Sequence, residues 1–250
     1  MSTRDAPSAG SSVLVVSPHF DDVPLSLGQS LRDGLLSSRP VQVRVVFGRT
    51  NWSTRLHPTR RRAPLVTAWR RAEEAVAARR FGYRVRSEAF EEVILRTGDL
   101  DSSWFRGDAD PVEEPLFRPI RDLLERWRRE AGEMWVPAGL GRHLDHRIVA
   151  RAAAELVQGG MTGVGFYEDR PYASYLDEDA MAQELGDLGL ELGPEDVSGP
   201  IGEATQRLVA RCYPSQMDDF FRDAQRHDRE SGRPERVWWP FTPPDRGGSR

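Results

Sequence analysis

Short apolar, β-branched runs alternate along this chain with longer segments of helical periodicity, and that alternation sets the fold. Val13–Ser17 reads as a buried strand and Ser26–Leu36 as the helix behind it. Val41–Phe47 is a second strand. Thr67–Arg80 sets Ala68, Ala72, Ala75, Val76 and Ala78 among charged residues, an amphipathic helix closed by Gly82. Further strands are predicted over Glu91–Arg96, Met134–Val136 and Gly163–Tyr167. Further helices are predicted over Glu113–Ala131, with Pro115 and Pro119 near its start where proline is tolerated, and over Asp145–Val157. Such βαβ succession predicts an α/β fold, a Rossmann-like, doubly wound and mostly parallel sheet flanked by helices. From Pro171 the pattern turns acidic and helical, with Tyr175–Leu188 and Gly202–Phe221 forming a smaller helical C-terminal part. The tail Val237-Trp238-Trp239-Pro240-Phe241 is aromatic enough to pack back onto the body. Residues 1–11 and 243–250 are polar ends expected to be loose, which leaves 12–242 as a single domain.

A chain of 250 residues can bury a substantial core without disulfides. Its one cysteine, Cys212, excludes an internal disulfide and a Cys-rich zinc module, and fits a reducing, cytoplasmic setting. A net charge of -4 gives no general attraction to nucleic acid or to an anionic membrane, and no apolar stretch approaches the ~20 residues of a bilayer span. All 35 basic residues are arginine, so Schiff-base and P-loop lysine chemistry are excluded together. No Gly-rich phosphate loop follows Val16, which argues against a nucleotide-binding oxidoreductase.

Three of the five histidines lie in two clusters at matching strand ends. Ser17-Pro18-His19-Phe20-Asp21-Asp22 follows the first strand; His143-Leu144-Asp145-His146 follows Met134-Trp135-Val136-Pro137. Open α/β sheets bind their ligands at such positions. Residues three apart in a first helical turn can face one point, so His19 and Asp22 suit a divalent ion taking N and O ligands. Asp21 projects differently and is free to hold a water. His143 and His146 share the same spacing; one can complete a His-Asp-His set while the other stays unligated. The open position that remains is the mark of a catalytic rather than a structural site.

These paired motifs resemble those of the LmbE-like, or PIG-L, N-deacetylase superfamily, whose first motif usually reads Pro-His-Pro-Asp-Asp-Glu and whose second reads His-Pro-Asp-His. Arg70-Arg71-Ala72-Glu73, opening a helix that ends at Phe81-Gly82, is similar to the family's Arg-x-x-Glu helix. Phe166–Tyr172 and Tyr213-Pro214-Ser215-Gln216 also have counterparts in it, so the resemblance runs from about Val13 to Gln216. It implies a zinc-dependent hydrolase, with one Zn2+ or another divalent transition metal per chain. The substrate would be a small N-acylated molecule, usually an N-acetylated amino sugar or glycosylated metabolite. It implies His19, Asp22 and His146 as metal ligands and Asp21 as the general base. His143 would stabilise the oxyanion or protonate the leaving amine, and Asp145 would orient a histidine. Phe20 and Val23 stand where the family has Pro and Glu, so local support of the site must differ. The same site would also serve a carbamoyl or ester bond, or a metal-retaining binding domain without catalysis.

Other residues have weaker claims. Arg70, Asp99, Tyr213 and Gln216 are candidate substrate contacts, each with a structural alternative: a helix salt bridge, a turn, core packing or a cap. Trp52, Trp104 and Trp238 could stack on a sugar ring, although packing is the default for tryptophan. The arginines of the Gly48–Pro64 loop (Arg49, Arg55, Arg60, Arg61, Arg62) could favour an acidic ligand, with a solvated loop the safer expectation. His57 and His227 are read as solvated or unassigned. A homo-oligomer is left open by Trp238-Trp239, which a monomer would have to cover.

Overall fold

The computed structural model describes residues 12–98 and 109–241, so Asp99, Trp104 and the two expected loose ends lie outside the described residues. Strand β1 (Val13–Ser17) carries a side-chain alternation that divides the core in two. Leu14 and Val16 face helices α4 (Phe117–Glu130) and α5 (Leu144–Gln158). Val13 and Val15 face α1 (Asp22–Asp33), α2 (Ala63–Phe81) and α7 (Glu203–Cys212). The strand is therefore covered on both sides, which is why its sequence is apolar throughout.

Around β1 lie β2 (Val41–Val45), β3 (Arg84–Ser87), β4 (Glu133–Pro137) and β5 (Val164–Tyr167), all parallel. A terminal hairpin, β6 (Leu192–Pro200) and β7 (Pro234–Pro240), adds to β5 in antiparallel sense. The order of the seven strands is β3-β2-β1-β4-β5-β7-β6. Strand order reverses between β1 and β4, and the C-terminal ends of these neighbours form the crevice where such sheets bind ligands. Helices α6 (Glu178–Gly186) and α8 (Asp219–Ser231) belong to the C-terminal part.

Four local readings change. Glu91–Arg96 is not a strand: Glu91 makes one parallel bridge to Arg49, then the chain coils into α3 (Val93–Thr97), closed by Gly98 at φ +72°. Val93, Ile94 and Leu95 are all buried there, and a short apolar run of this kind does not distinguish helix from strand. β3 is an edge strand whose exposed Arg84 and Arg86 mask its period. The expected helix Gly202–Phe221 is two helices, α7 and α8, because Pro214 lacks an N–H and biases Tyr213 out of the helical region. The C-terminal part is also not all helix. Leu192–Pro200 is Gly- and Pro-rich, with an irregular register between Asp196 and Pro200, both marks of an edge strand. The aromatic tail packs onto the body by becoming β7.

Helix α1 is broken at Leu27 (φ -132°, ψ 17°). The break frees backbone donors, and Glu235 of β7 takes them. Its Oε1 accepts from Gln29 N at 2.7 Å and its Oε2 from Ser30 N at 2.6 Å, so a strand of the far hairpin caps the second half of α1.

Candidate metal centre

Two turns carry the site. After β1 the chain runs through Pro18 into the N-terminus of α1, with Asp21 at the capping position and Asp22 first in the helix. After β4 it passes through Gly139-Leu140-Gly141-Arg142, with φ of +80° at Gly139, +75° at Gly141 and +65° at Arg142, and enters α5. His143 caps α5: its Nδ1 accepts from Asp145 N at 3.2 Å.

These turns bring two imidazole nitrogens and the two oxygens of one carboxylate together. His19 Nδ1 and His146 Nε2 stand 3.3 Å apart. Asp22 Oδ1 lies 3.4 Å from His146 Nε2, and Asp22 Oδ2 lies 3.5 Å from His19 Nδ1. Donors bound tetrahedrally to one zinc ion at about 2.0–2.1 Å would be roughly 3.3–3.4 Å apart, the spacing of the two imidazole nitrogens, and Asp22 offers one oxygen near each of them, with Oδ2 also accepting from His19 N at 2.6 Å. His19, Asp22 and His146 can thus hold a metal; His19 is the most open, its side chain 13% exposed.

Outer carboxylates aim both imidazoles. His19 Nε2 lies 3.1 Å from Asp145 Oδ2, and His146 Nδ1 lies 2.6 Å from Asp169 Oδ1. Asp145 is itself fixed by Val93 N at 2.9 Å and by Arg96 Nη1 at 2.8 Å. Asp169 Oδ2 accepts from Gly139 N at 2.8 Å and Leu140 N at 3.1 Å. His19, His143 and Asp145 form a second group close enough to hold an ion, within which His19 Nε2 lies 3.1 Å from Asp145 Oδ2.

The electrostatics favour a cation at the centre. Burial disfavours charge on His19, yet Asp145 and Asp22 push its pKa up to about 10. Burial likewise opposes charge on His146, while Asp22 and Asp169 raise it to about 9. Against the cost of its own burial, Asp22 is held well below the usual carboxylate range by His146 and His19. Burial drives His143 the other way, well below the usual imidazole value, and the neighbouring histidines add to it. A neutral His143 whose Nδ1 accepts a backbone N–H carries its proton on Nε2, where it is a hydrogen-bond donor.

Asp21 and the four candidate substrate contacts divide sharply. Arg70 is buried and its Nη2 donates to Asp21 Oδ1 at 2.6 Å, so it braces the neighbouring carboxylate. Tyr213 is fully buried and donates to Glu74 Oε2 at 2.6 Å. Gln216 Nε2 donates to Ser215 O at 2.9 Å, and Ser215 is tied to Glu73. Asp99 is outside the described residues. Trp52 is half-buried beneath a loop whose amides Asn51 N (3.0 Å) and Trp52 N (3.2 Å) donate to Glu92 Oε1. Trp238 donates to Glu168 at 3.2 Å. Of the loop arginines, Arg49 and Arg60 both pair with Glu91, at 3.1 and 3.2 Å.

Sequence reasoning passed over Asp169, Arg96 and Tyr172, whose ring lies 5.7 Å from that of His146. Asp169 had a signal, a carboxylate just past the end of a strand in the Phe166–Tyr172 stretch.

No family model matches the chain. A 2'-N-acetylparomamine deacetylase from Streptomyces fradiae is 33% identical over 236 residues, which cover 89% of this chain and 80% of the relative. A 2'-N-acetylparomamine deacetylase from Niallia circulans is 27% identical over 186 residues, covering 64% of this chain and 66% of that protein. Among solved structures, the zinc-inhibited form of teicoplanin deacetylase Orf2 shares the fold with a TM-score of 0.65 at 20% identity, covering 94% of this chain and 99% of that one.

Proposed function

The chain belongs to the LmbE-like, or PIG-L, N-deacetylase superfamily of amide-cleaving hydrolases, and from that premise we propose that it removes an acyl group, chiefly acetyl, from the nitrogen of an amino sugar or glycosylated metabolite. The observation that carries this reading is the convergence of His19 Nδ1, Asp22 and His146 Nε2, with an outer carboxylate behind each imidazole. The substrate class is supported by the Streptomyces fradiae relative, which is named for an N-acetylated amino sugar.

His19, Asp22 and His146 would hold one zinc ion, and another divalent transition metal would suit the same donors. Bound there, such an ion supplies Lewis acidity that makes water nucleophilic near neutral pH and polarises an amide carbonyl. Asp21, braced by Arg70, takes the proton from the attacking water as general base and delivers it to the departing nitrogen. His143 donates from Nε2 to the oxygen that becomes negative as the carbonyl carbon turns tetrahedral. Between the two roles open to His143, its lowered pKa favours the neutral donor over the acid that protonates the amine. Asp145 and Asp169 keep the inner nitrogens aimed and raise their basicity as ligands.

Metal analysis joined to an amine-release assay tests the reading. Wild type is expected to carry about one zinc per chain and to free amine and acetate from 2'-N-acetylparomamine or another N-acetyl amino sugar; His19→Ala is expected to lose both. Metal-loaded wild type that frees no amine from a panel of N-acyl sugars would refute it.

A further inference from the structure

The loop that presents His143 is unusual in its backbone. Gly139, Gly141 and Arg142 all have positive φ, and Arg142, at +65°, carries a Cβ that disfavours the left-handed region. Such a conformation persists only where its surroundings over-determine it. Tyr172 supplies one constraint, since a Cβ on Gly141 would fall 2.2 Å from Tyr172 Cβ. Two carboxylates supply others. Asp169 holds the amides of Gly139 and Leu140, and Glu184 Oε2 accepts from Gly141 N at 2.7 Å.

The two acids differ in what else they do. Asp169 places its other oxygen on His146, so its task is divided between the loop and a ligand of the centre. Glu184 reaches the loop from α6, two residues short of His143. That helix is a firm base. Asp177 caps it, its Oδ1 accepting from Ala180 N at 2.8 Å, and Met181 and Leu185, four apart on one face, are buried in the core beside α5. Arg151 and Gln158 of α5 grip the carbonyls just past its end, Asp187 O at 2.7 Å and Leu188 O at 3.1 Å. The Glu184 carboxylate is therefore fixed relative to α5, and through Gly141 it fixes the turn from which α5 starts. Glu184 is half-buried and lines a cavity of about 420 Å³ with Asp110, Arg142 and Arg147. Water can enter a space of that size, so loss of the carboxylate would not leave the Gly141 amide dry. The loop would lose its direction while the fold kept its stability.

We propose that Glu184 is a positioning residue for the hydrolysis: by holding Gly141 it sets the ring of His143, whose Nε2 then points at the substrate oxygen as that oxygen becomes negative. The inference rests on the deacetylase reading for what meets His143. The His143 ring lies with its centroid 4.9 Å from those of both His19 and His146. A small rotation of the loop moves its donor off the oxygen, where a hydrogen bond weakens steeply with angle, and leaves the three ligands in place.

Steady-state kinetics of the zinc-loaded protein on an N-acetyl amino sugar, joined to NMR of its histidine rings, test the role. Glu184→Ala is expected to lower kcat about tenfold, a part of the roughly 10²–10³-fold that an oxyanion donor is worth, with KM and zinc content unchanged. Glu184→Gln, whose amide oxygen can accept the same N–H, is expected to restore most of the rate, and the exposed Gln183→Ala on the same helix to match wild type. In a His143→Ala background, Glu184→Ala is expected to cost nothing further, because the group it positions is gone. The His143 ring signal is expected to shift or broaden in Glu184→Ala and to return in Glu184→Gln. A tenfold loss that persists in the His143→Ala background would overturn the proposal, since the glutamate would then act on the fold at large. So would a Glu184→Gln variant as slow as Glu184→Ala, or a rate and ring signal both untouched by Glu184→Ala. A wild type that frees no amine, while Glu184→Ala still disturbs the His143 ring, would refute the deacetylase reading and leave the positioning role standing.

Discussion

Asp21 and Asp169 show how adjacent carboxylates acquire separate tasks from their partners. Asp21 meets a guanidinium and no imidazole ligand, so Asp21→Asn is expected to retain metal while amine release falls by about 10²–10⁴-fold, read by metal analysis beside initial rates. Asp169 meets a ligand on one oxygen and two loop amides on the other. In Asp169→Asn an amide NH2 must oppose either the imidazole N–H or those backbone donors. Zinc affinity is expected to drop about 10–100-fold, measured by competition with a chelator. The inner site was legible because its residues are neighbours in sequence and each cluster follows its own strand. Asp169 was only hinted at by its place just past a strand, because its task depends on β5 bringing it to the first turn of α5, where it meets His146. Arg96 was hidden by a different cause: a reading of Glu91–Arg96 as strand gave its side chain no route to Asp145.

Among the elements, α1 is the one most dependent on distant sequence. Its N-terminus carries Asp21 and Asp22, and its second half begins at a break capped by Glu235. Glu235→Ala leaves the Gln29 and Ser30 amides unpaired in a buried place and is expected to cost roughly 2–4 kcal/mol, measured by urea unfolding. Gly28 beside Leu27 is a weak point in the helical pattern, but the break is tolerable only with a carboxylate supplied from some 200 residues away, which no local pattern announces. The parallel strands β1, β2, β4 and β5 were legible for the converse reason. Burial on both faces leaves the apolar runs of β1, β4 and β5 nearly unbroken, and Val41, Val43 and Val45 alternating with Gln42 and Arg44 mark β2; both patterns are local.

Across the whole molecule, buried acids make stability depend on pH. Glu74 accepts from Tyr83 at 2.9 Å and from Tyr213 at 2.6 Å, and burial pushes its pKa up to about 8. An unfolded chain releases this proton near 4.5, whereas the fold retains it, so the contribution of Glu74 is full below that value and is lost as pH rises toward 8. Glu74→Gln cannot ionise, and its amide can still meet both hydroxyls. Thermal unfolding between pH 5 and 8 is therefore expected to show wild type losing more stability than the variant, by the order of a few kcal/mol.

The placing of β7 bears on how the protein is made. Ribosomes release the segments that carry His19 and His146 long before Pro234–Pro240 emerges, and nascent domains build from their N-terminal end. Until those final residues arrive, β5 has an uncovered border and the helix behind Asp21 has no carboxylate to close its break. A polypeptide stopped short of Glu235 would contain His19, Asp22 and His146 and still lack the carboxylate that closes the break in the helix whose N-terminus carries Asp21.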